Sequence, residues 1–537
     1  MLPTKYGNFT RNSQTMKKIG IILSILSIVP CFSAIQETLP SWHWAYEYIE
    51  ALGQRGYMPE LYLLNQPYTK GEIARALVEL RKKIKEGDLT RDVQDERIIL
   101  RLMEYFEPEI RMIDPKGMQD QVQVGGHLQG YFNHRSEENA EYKGIYRTRI
   151  VVPFRERLTV VNAINFDQFK VDDPFYSGKK WRGVVGFTEQ AYANADFGWF
   201  RMKVGRDFLR WGAGINGTLL FSDMCRPMDQ FSGSMQTGPF RFSFLTAVLD
   251  DLILSAALVD SLGGVKAQRY LTSHRLDAKF LDGRIQFAVT EALIYGGVGK
   301  SLDWIYSNPF LFFHGEQLNR NDQANTLGML DLLVYPVSKW QLYGSLLIDD
   351  VQIEKTGSGD LEPDEIGWTV GTKLADPFKI EGMSLYSEFS RVTNRTYKTP
   401  VPWETMLHRN EPIGYPLGHD VDFWSLGISQ WFNGVLKIDA GFSRIRKGEG
   451  SLFTSWDTPW MDKTVQEGYS EPYLTGIVEK RETLSLRLQY IPSIHWGATG
   501  EVQWSDIKNA GHTAGEKFKQ TSWRIGVWVD SNLFLRF

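Results

Sequence analysis

Two cysteines stand in 537 residues, and one of them, Cys31, lies in a short apolar block near the start. If that block is removed, only Cys225 remains and no intramolecular disulfide is possible. An exported chain of this kind must gain its stability from a large core or from a closed sheet in a membrane. Long apolar runs are also missing. After the first block no window offers the roughly eighteen uninterrupted apolar residues that a membrane-spanning helix needs. The net charge is −4 and no basic stripe stands out, so nothing points to nucleic acid. The nine histidines are scattered without paired ligand spacing, which gives no metal site. His314 with Glu316 reads as a satisfied polar pair in the lumen, and Asp349 with Asp350 as a strand end reaching the polar interface, rather than as ligands. No G-x-S-x-G and no base-paired nucleophile occur, so no catalytic or cofactor-binding residue is expected. No internal repeat is visible, which counts against a propeller.

What is present begins with "MKKIGIILSILSIVPCFSA", Met16–Ala34. Lys17 and Lys18, an apolar stretch from Ile19 to Val29, and small residues at Ser33 and Ala34 make a secretory signal pattern. We expect translation to start at Met16, residues 1–33 to be the signal region, and Pro30 before Cys31 to disfavour a lipid anchor. Residues 34–118 are helical in pattern. Ser41 is the expected cap of a helix whose apolar face is Ala45, Tyr48, Ile49 and Leu52. "TKGE", Thr69–Glu72, is a capping box that opens a second helix with Ile73, Ala76, Leu77 and Leu80 on one face. A third is expected from Thr90 to Phe106, ended by "FEPE" and "IDPKG".

From Val122 onward the period changes from helical to two. "LSLRLQY" sets Leu484, Leu486, Leu488 and Tyr490 against Ser485, Arg487 and Gln489. "LKIDAGFS" alternates likewise, and the chain closes on "WRIGVWVDSNLFLRF", with Ile525, Val527, Val529, Leu533, Leu535 and Phe537 on one face. Only helices and closed barrels satisfy the backbone across lipid. Alternation, 17 Trp, 23 Tyr and 31 Phe, and a terminal aromatic strand together predict an all-β fold. The expected architecture is a large antiparallel transmembrane β-barrel over 119–537, of about 18 strands with 16 as the alternative, preceded by a small α-helical domain. "FLDGR" suits a short turn, and the polar stretches from Lys170, Glu354, Arg391 and Ser451 suit long external loops.

"GAGING", Gly212–Gly217, matches the dinucleotide pattern G-x-G-x-x-G letter for letter. That fingerprint requires a helix after the glycines and an acid about twenty residues on in a second parallel strand. "TLLFSDMCRPMDQF" follows instead; it has no helical apolar face and contains Pro227. The glycines are expected to let backbone pack tightly against the barrel wall or through its lumen.

Five blocks, "GRDFLRWGAGINGTLLFSD", "RYLTSHRLDAKF", "YSNPFLFFHGEQ", "YGSLLIDDVQIE" and "PLGHDVDFWSLGIS", stand in that order between Gly205 and Ser429. Together they resemble the Wzi-like capsule assembly family of outer-membrane proteins over roughly residues 120–537. The resemblance implies a Gram-negative outer-membrane barrel that acts as a non-catalytic surface lectin and helps to retain a polysaccharide. "YEYIEALGQRGYMPEL" and "YTKGEIARALVEL" are similar to a single divergent S-layer homology domain, departing from its T-R-A-E signature at Lys70 and Gly71. Loop residues suited to stacking on sugars are Trp181, Trp403, Trp456, Trp460 and Tyr473; Lys179, Lys180 and Arg182 suit an acidic glycan. The implied partners are surface polysaccharide, outer-membrane lipid, the barrel-assembly machinery through the strand ending at Phe537, and peptidoglycan through the amino-terminal domain, which otherwise caps the barrel from the periplasm. The rival reading is a porin-like channel, which needs an open lumen.

Overall fold

The computed structural model describes residues 35–87, 91–113, 122–136, 139–154, 157–173, 176, 178–353 and 356–535. The signal region, Cys31 and Phe537 lie outside the described residues. Eighteen long antiparallel strands close a barrel. They are β1 (Val122–Arg135), β2 (Glu141–Phe154), β3 (Leu158–Asp167), β4 (Val184–Asp196), β5 (Phe200–Asp207), β6 (Met228–Thr237), β7 (Phe240–Val248), β8 (Lys266–Phe280) and β9 (Ile285–Gly297). The second half runs β10 (Ala324–Val337), β11 (Trp340–Asp350), β12 (Glu365–Ala375), β13 (Met383–Val392), β14 (Val421–Phe432), β15 (Leu436–Lys447), β16 (Glu479–Ser493), β17 (Trp496–Lys508) and β18 (Lys517–Leu535). Each pairs with the next. The terminal strand β18 seals the ring on β1, in register from Val122 opposite Leu535 to Arg135 opposite Ser522.

Alternation decides which face meets what. On β18 Ile525, Val527, Val529 and Leu533 are exposed on the outer wall, whereas Trp528 is buried inward. On β16 Leu484, Leu486, Leu488 and Tyr490 face out, while Arg487 reaches into the lumen. Exposed Phe240, Phe280, Trp340, Phe432 and Trp496 sit beside short turns at one end of the barrel. This is the girdle expected where amphipathic or large rings meet an interface. The turn at Leu281–Arg284 is one of these, with Leu281 and Asp282 both at φ 52. The long connections emerge at the opposite end.

Among the described residues four helices precede the barrel: α1 (Ala45–Gln54), α2 (Lys70–Glu86), α3 (Val93–Tyr105) and α4 (Glu107–Ile113). Ala45, Tyr48, Ile49 and Leu52 are buried as their spacing predicts, but the residue before α1 is Trp44, not Ser41, and no side chain caps it. The capping box of α2 is formed: Thr69 Oγ1 accepts from Glu72 N at 3.2 Å, and Glu72 Oε2 accepts from Thr69 N at 2.9 Å. Asp92 caps α3. "FEPE" ends α3 at Tyr105, with Phe106 as its cap, as expected, but helicity resumes at once. The same stretch opens α4, with Pro108 in the first turn, where no backbone N–H is needed.

The helices lodge in the short-turn end of the barrel. Their core is continuous with Trp431, Ile491 and Trp528 of the wall. Glu47 of α1 pairs with Lys437 at 3.1 Å and Arg487 at 2.8 Å, and Tyr48 donates to the Gly434 carbonyl at 2.9 Å. Lys70 holds Glu37 at 2.8 Å; Glu37 in turn pairs with Arg149 of β2 at 2.5 Å.

Candidate functional site

Two regions are built for more than wall. The first is the lumen. After β5 the chain turns inward, and Arg210–Trp211 forms a short antiparallel pair with Asn65–Gln66 of the amino-terminal segment. The "GAGING" glycines follow. Gly214 and Gly217 have φ of 147° and 128°. A Cβ on Gly214 would lie 2.1 Å from the Gly217 carbonyl oxygen, and one on Gly217 would lie 2.4 Å from Pro416 Cδ. The backbone amides of Ile215 and Asn216 donate to Glu388 of β13 at 2.5 and 2.9 Å. The match to a nucleotide motif is therefore a tight crossing of the lumen, as its sequence context predicts.

Beyond it, Leu219, Leu220 and Phe221 are wholly buried against Leu327, Met329, Leu347 and Val392 of the wall and Tyr397, Ile413 and Tyr415 of the 393–420 loop. Beneath this layer Arg275 is buried with Asp277 at 2.9 Å and Asp331 at 2.7 Å, and it donates to the Leu64 carbonyl at 3.2 Å. Helices from one end and infolded loops from the other fill the barrel. A cavity of about 390 Å³ remains between them, bounded by Tyr46, Glu50, Arg210, Asn216 and Tyr343.

The second region is the loop end, where 356–364, 393–420 and 448–478 converge. Arg395 organises it. This residue is buried, its Nη1 lies 2.6 Å from Glu471 Oε1, and its Nη2 lies 2.7 Å from Asp457 Oδ1. Its guanidinium stands 4.9 Å from the ring centre of Trp460 and 5.7 Å from that of Trp456, a cation–π arrangement. Trp456 and Trp460 meet edge to face at 6.3 Å. Burial, with the charges of Lys447 and Lys398, pushes His419 well below its ordinary value. Its neutral Nδ1 accepts the Arg395 backbone N–H at 3.1 Å. Next to this knot Arg391 lies 3.7 Å over the Tyr473 ring, whose hydroxyl donates to Asp422 at 3.2 Å.

A cleft of about 330 Å³ opens between these loops, lined by Asp360, Glu362, Asn394, Tyr469, Glu471 and Tyr473 among others. Burial first, then the nearby Asp350 carboxylate, pushes the Glu362 carboxyl up to about 7 against the opposing pull of Arg395. The cleft offers carboxylates, an amide and phenol rings, a set that hydrogen-bonds hydroxyls and stacks on apolar ring faces.

The structure brings together three of the five aromatics read from the sequence: Trp456, Trp460 and Tyr473. Only Tyr473 lines the cleft and is exposed; Trp460 is 2% exposed, its rim closed by Arg395 and Tyr469. Trp403 is 9% exposed and packs under the loops with Leu254 and Ala267, while its carbonyl accepts from Arg269 Nε at 2.8 Å. It offers no open ring face. Trp181 stands on another loop, 65% exposed in a two-residue ribbon with Val184, with Arg182 5.7 Å from its ring and Lys179 and Lys180 exposed alongside. Sequence reasoning missed Arg391, Arg395, Asn394, Glu362 and Glu471. All lie in the polar loops it marked, but their convergence depends on contacts across tens of residues.

A family model for capsule assembly protein Wzi matches residues 117–521. No curated protein sequence matches the chain. Among solved structures the chain is similar to Wzi of Escherichia coli, described as an outer membrane protein involved in group 1 capsule assembly and a carbohydrate-binding β-barrel. Identity is 13%, coverage 91% of this chain and 98% of that one, and the TM-score 0.60. It also matches a variant of OccD1 (OprD) at 11% identity, 78% and 97% coverage and a TM-score of 0.45. A third match is Pseudomonas aeruginosa OccD3 (OpdP), at 9% identity, 78% and 93% coverage and 0.45.

Proposed function

Since this chain belongs to the capsule assembly protein Wzi family, we propose that it binds and organises capsular or exopolysaccharide at the cell surface without catalysing a reaction. The barrel stands in the outer membrane. The observation that carries the reading is the loop-end cleft beside Arg395, where Tyr469, Tyr473, Asn394 and Glu471 offer ring faces and hydrogen-bonding groups together. Its carboxylates, Asp360, Glu362 and Glu471, disfavour an anionic segment, so it suits neutral, hydroxyl-rich sugars. Acidic residues of the same polymer would meet Lys179, Lys180 and Arg182, with Trp181 as a stacking platform. A polymer has many such residues, so weak contacts at separate loops add by avidity.

In this reading the helical domain, residues 34–118, faces the periplasm and residues 119–537 span the membrane. The strand ending at Phe537 engages the barrel-assembly machinery, and lipid covers the outer wall. Peptidoglycan is the remaining proposed partner, through α1 and α2. No observation favours the channel reading: infolded apolar side chains occupy the lumen.

The test is deletion of the gene with cell-bound and released polysaccharide measured separately, then complementation with Tyr473→Ala and Asn394→Ala. Deletion is expected to move polymer from the bound to the released fraction, and the variants to restore retention only in part. An unchanged ratio on deletion overturns the reading.

A further inference from the structure

The connection between β9 and β10, residues 298–323, does not rise above the barrel mouth as an external loop would. It folds down over the outside of the wall, so His314 and Glu316 stand outside the barrel and not in the lumen as the sequence led us to expect. Register fixes the faces. Arg275 and Thr290 are opposite one another and point inward, where Arg275 reaches Leu64 of the amino-terminal segment. Their neighbours His274 and Glu291, also opposite one another, therefore point outward. Both are covered by the connection. Glu291 accepts from the backbone amides of Phe313 and His314 at 3.0 and 2.8 Å, at the start of α5 (Phe313–Arg320), and pairs with His274 Nε2 at 3.1 Å.

Other outward residues are tied down in the same way. Thr272 donates to the Tyr306 carbonyl at 2.9 Å, Tyr295 accepts from Asp303 N at 3.1 Å, and Thr326 donates to Gln317 at 2.5 Å. Leu293, Tyr295, Tyr306 and Phe313 form a closed apolar cluster between connection and wall.

The level of this contact matters. His274 lies six residues along β8 from the girdle residue Phe280. At ~3.3 Å per residue that is about 20 Å along the strand, or about 15 Å along the membrane normal at a 40° tilt, inside an apolar band about 25 Å tall. A polar pair at that depth would face hydrocarbon if bare. The connection replaces lipid over it and turns a new surface outward: Trp304, Phe310, Phe312 and Leu318 are 83, 72, 67 and 66% exposed. That surface is continuous with the lipid-facing wall, because Phe310 stacks at 5.3 Å on Phe242, an outward residue of β7 between the exposed Phe240 and the outward Phe244.

We propose that residues 298–323 form a strap immersed in the outer leaflet, with Trp304, Phe310, Phe312 and Leu318 in contact with acyl chains. The strap shields the His274–Glu291 pair from lipid and anchors one side of the loop end at the membrane surface.

Spin-label accessibility tests this on the full chain in phosphatidylcholine vesicles. Labels are placed singly at Phe310→Cys, Phe312→Cys and Leu318→Cys, with Leu332→Cys as a wall control and Trp181→Cys as a water control; the native Cys225 is buried. The strap sites are expected to match Leu332, with an oxygen-to-nickel-chelate collision ratio about tenfold above Trp181. Collision ratios equal to those at Trp181 overturn the proposal. Shielding from both reagents together with cross-linked dimers also overturns it, because a second copy then covers the face. A second readout needs no spin label and keeps an aromatic ring at every aromatic site of the strap. Acyl-brominated lipid should quench the unlabelled chain more strongly than the Trp304→Phe variant, and equal quenching counts against Trp304 lying in lipid.

Discussion

Arg395 and Glu471, 76 residues apart in the chain, are joined through Nη1 and Oε1 at 2.6 Å at the foot of the loop-end cleft. The pair holds two long loops at a fixed distance, and the face of the same guanidinium supports Trp460.

Arg395→Ala is expected to release the 448–478 loop. Removing one partner of a poorly solvated pair costs about 3–5 kcal/mol locally, because the remaining carboxylate is stranded. Proteolysis of that loop on intact cells should need roughly tenfold less protease, and cell-bound polysaccharide should fall. Arg395→Lys should rescue only in part, since an ammonium lacks the planar fork that reaches Glu471 and Asp457 together. Unchanged proteolysis in both variants would contradict the bracing role.

Gly217→Ala is expected to impair barrel formation. The added Cβ meets Pro416 Cδ at 2.4 Å, at a backbone φ of 128°. Strain of this kind costs about 1–3 kcal/mol before any overpacking is counted. The measurement is the fraction of unheated protein with the folded mobility in gels, and Gly130→Ala, where a Cβ meets nothing within 4 Å, is the matched control.

The purified full chain is expected to give no steady current in planar bilayers. Leu219, Leu220 and Phe221 seal the lumen from the loop side, and α1–α4 occupy the turn side. A stable open level in single-channel records would show that the filled lumen yields.

Docking of the helices should weaken as pH rises from about 4 to 6. Asp95 of α3 is buried against Arg55 at 2.6 Å. Burial, joined by Asp92 and Asp376, pushes its carboxyl from 3.8 up to about 6 in spite of Arg55. The folded form holds a proton that the unfolded form releases in this window, so stability falls with increasing pH. Hydrogen exchange of α3 amides, corrected for intrinsic rates, should show that slope. Asp95→Asn should flatten it.

The chain's local pattern already determined a good deal. Period-two alternation in stretches such as Leu484–Tyr490 names the outer and inner faces, because a strand's side chains alternate whatever the rest of the chain does. Thr69 and Glu72 announce a helix start for an equally local reason: both hydrogen bonds close within one turn. The context of "GAGING" excludes a nucleotide site because the required helix and acid are absent.

Tertiary structure decided the rest. No local rule brings Arg395 to Trp460 and Glu471, places Trp403 beneath the loops, or carries Leu219–Phe221 into the lumen. Those choices rest on contacts between residues far apart in sequence, whose cost in chain entropy is met only once the barrel has closed. The same holds for His274 and Glu291. Alternation puts them on the lipid-facing side, where polar groups do not belong, and only the folded strap between β9 and β10 removes the conflict.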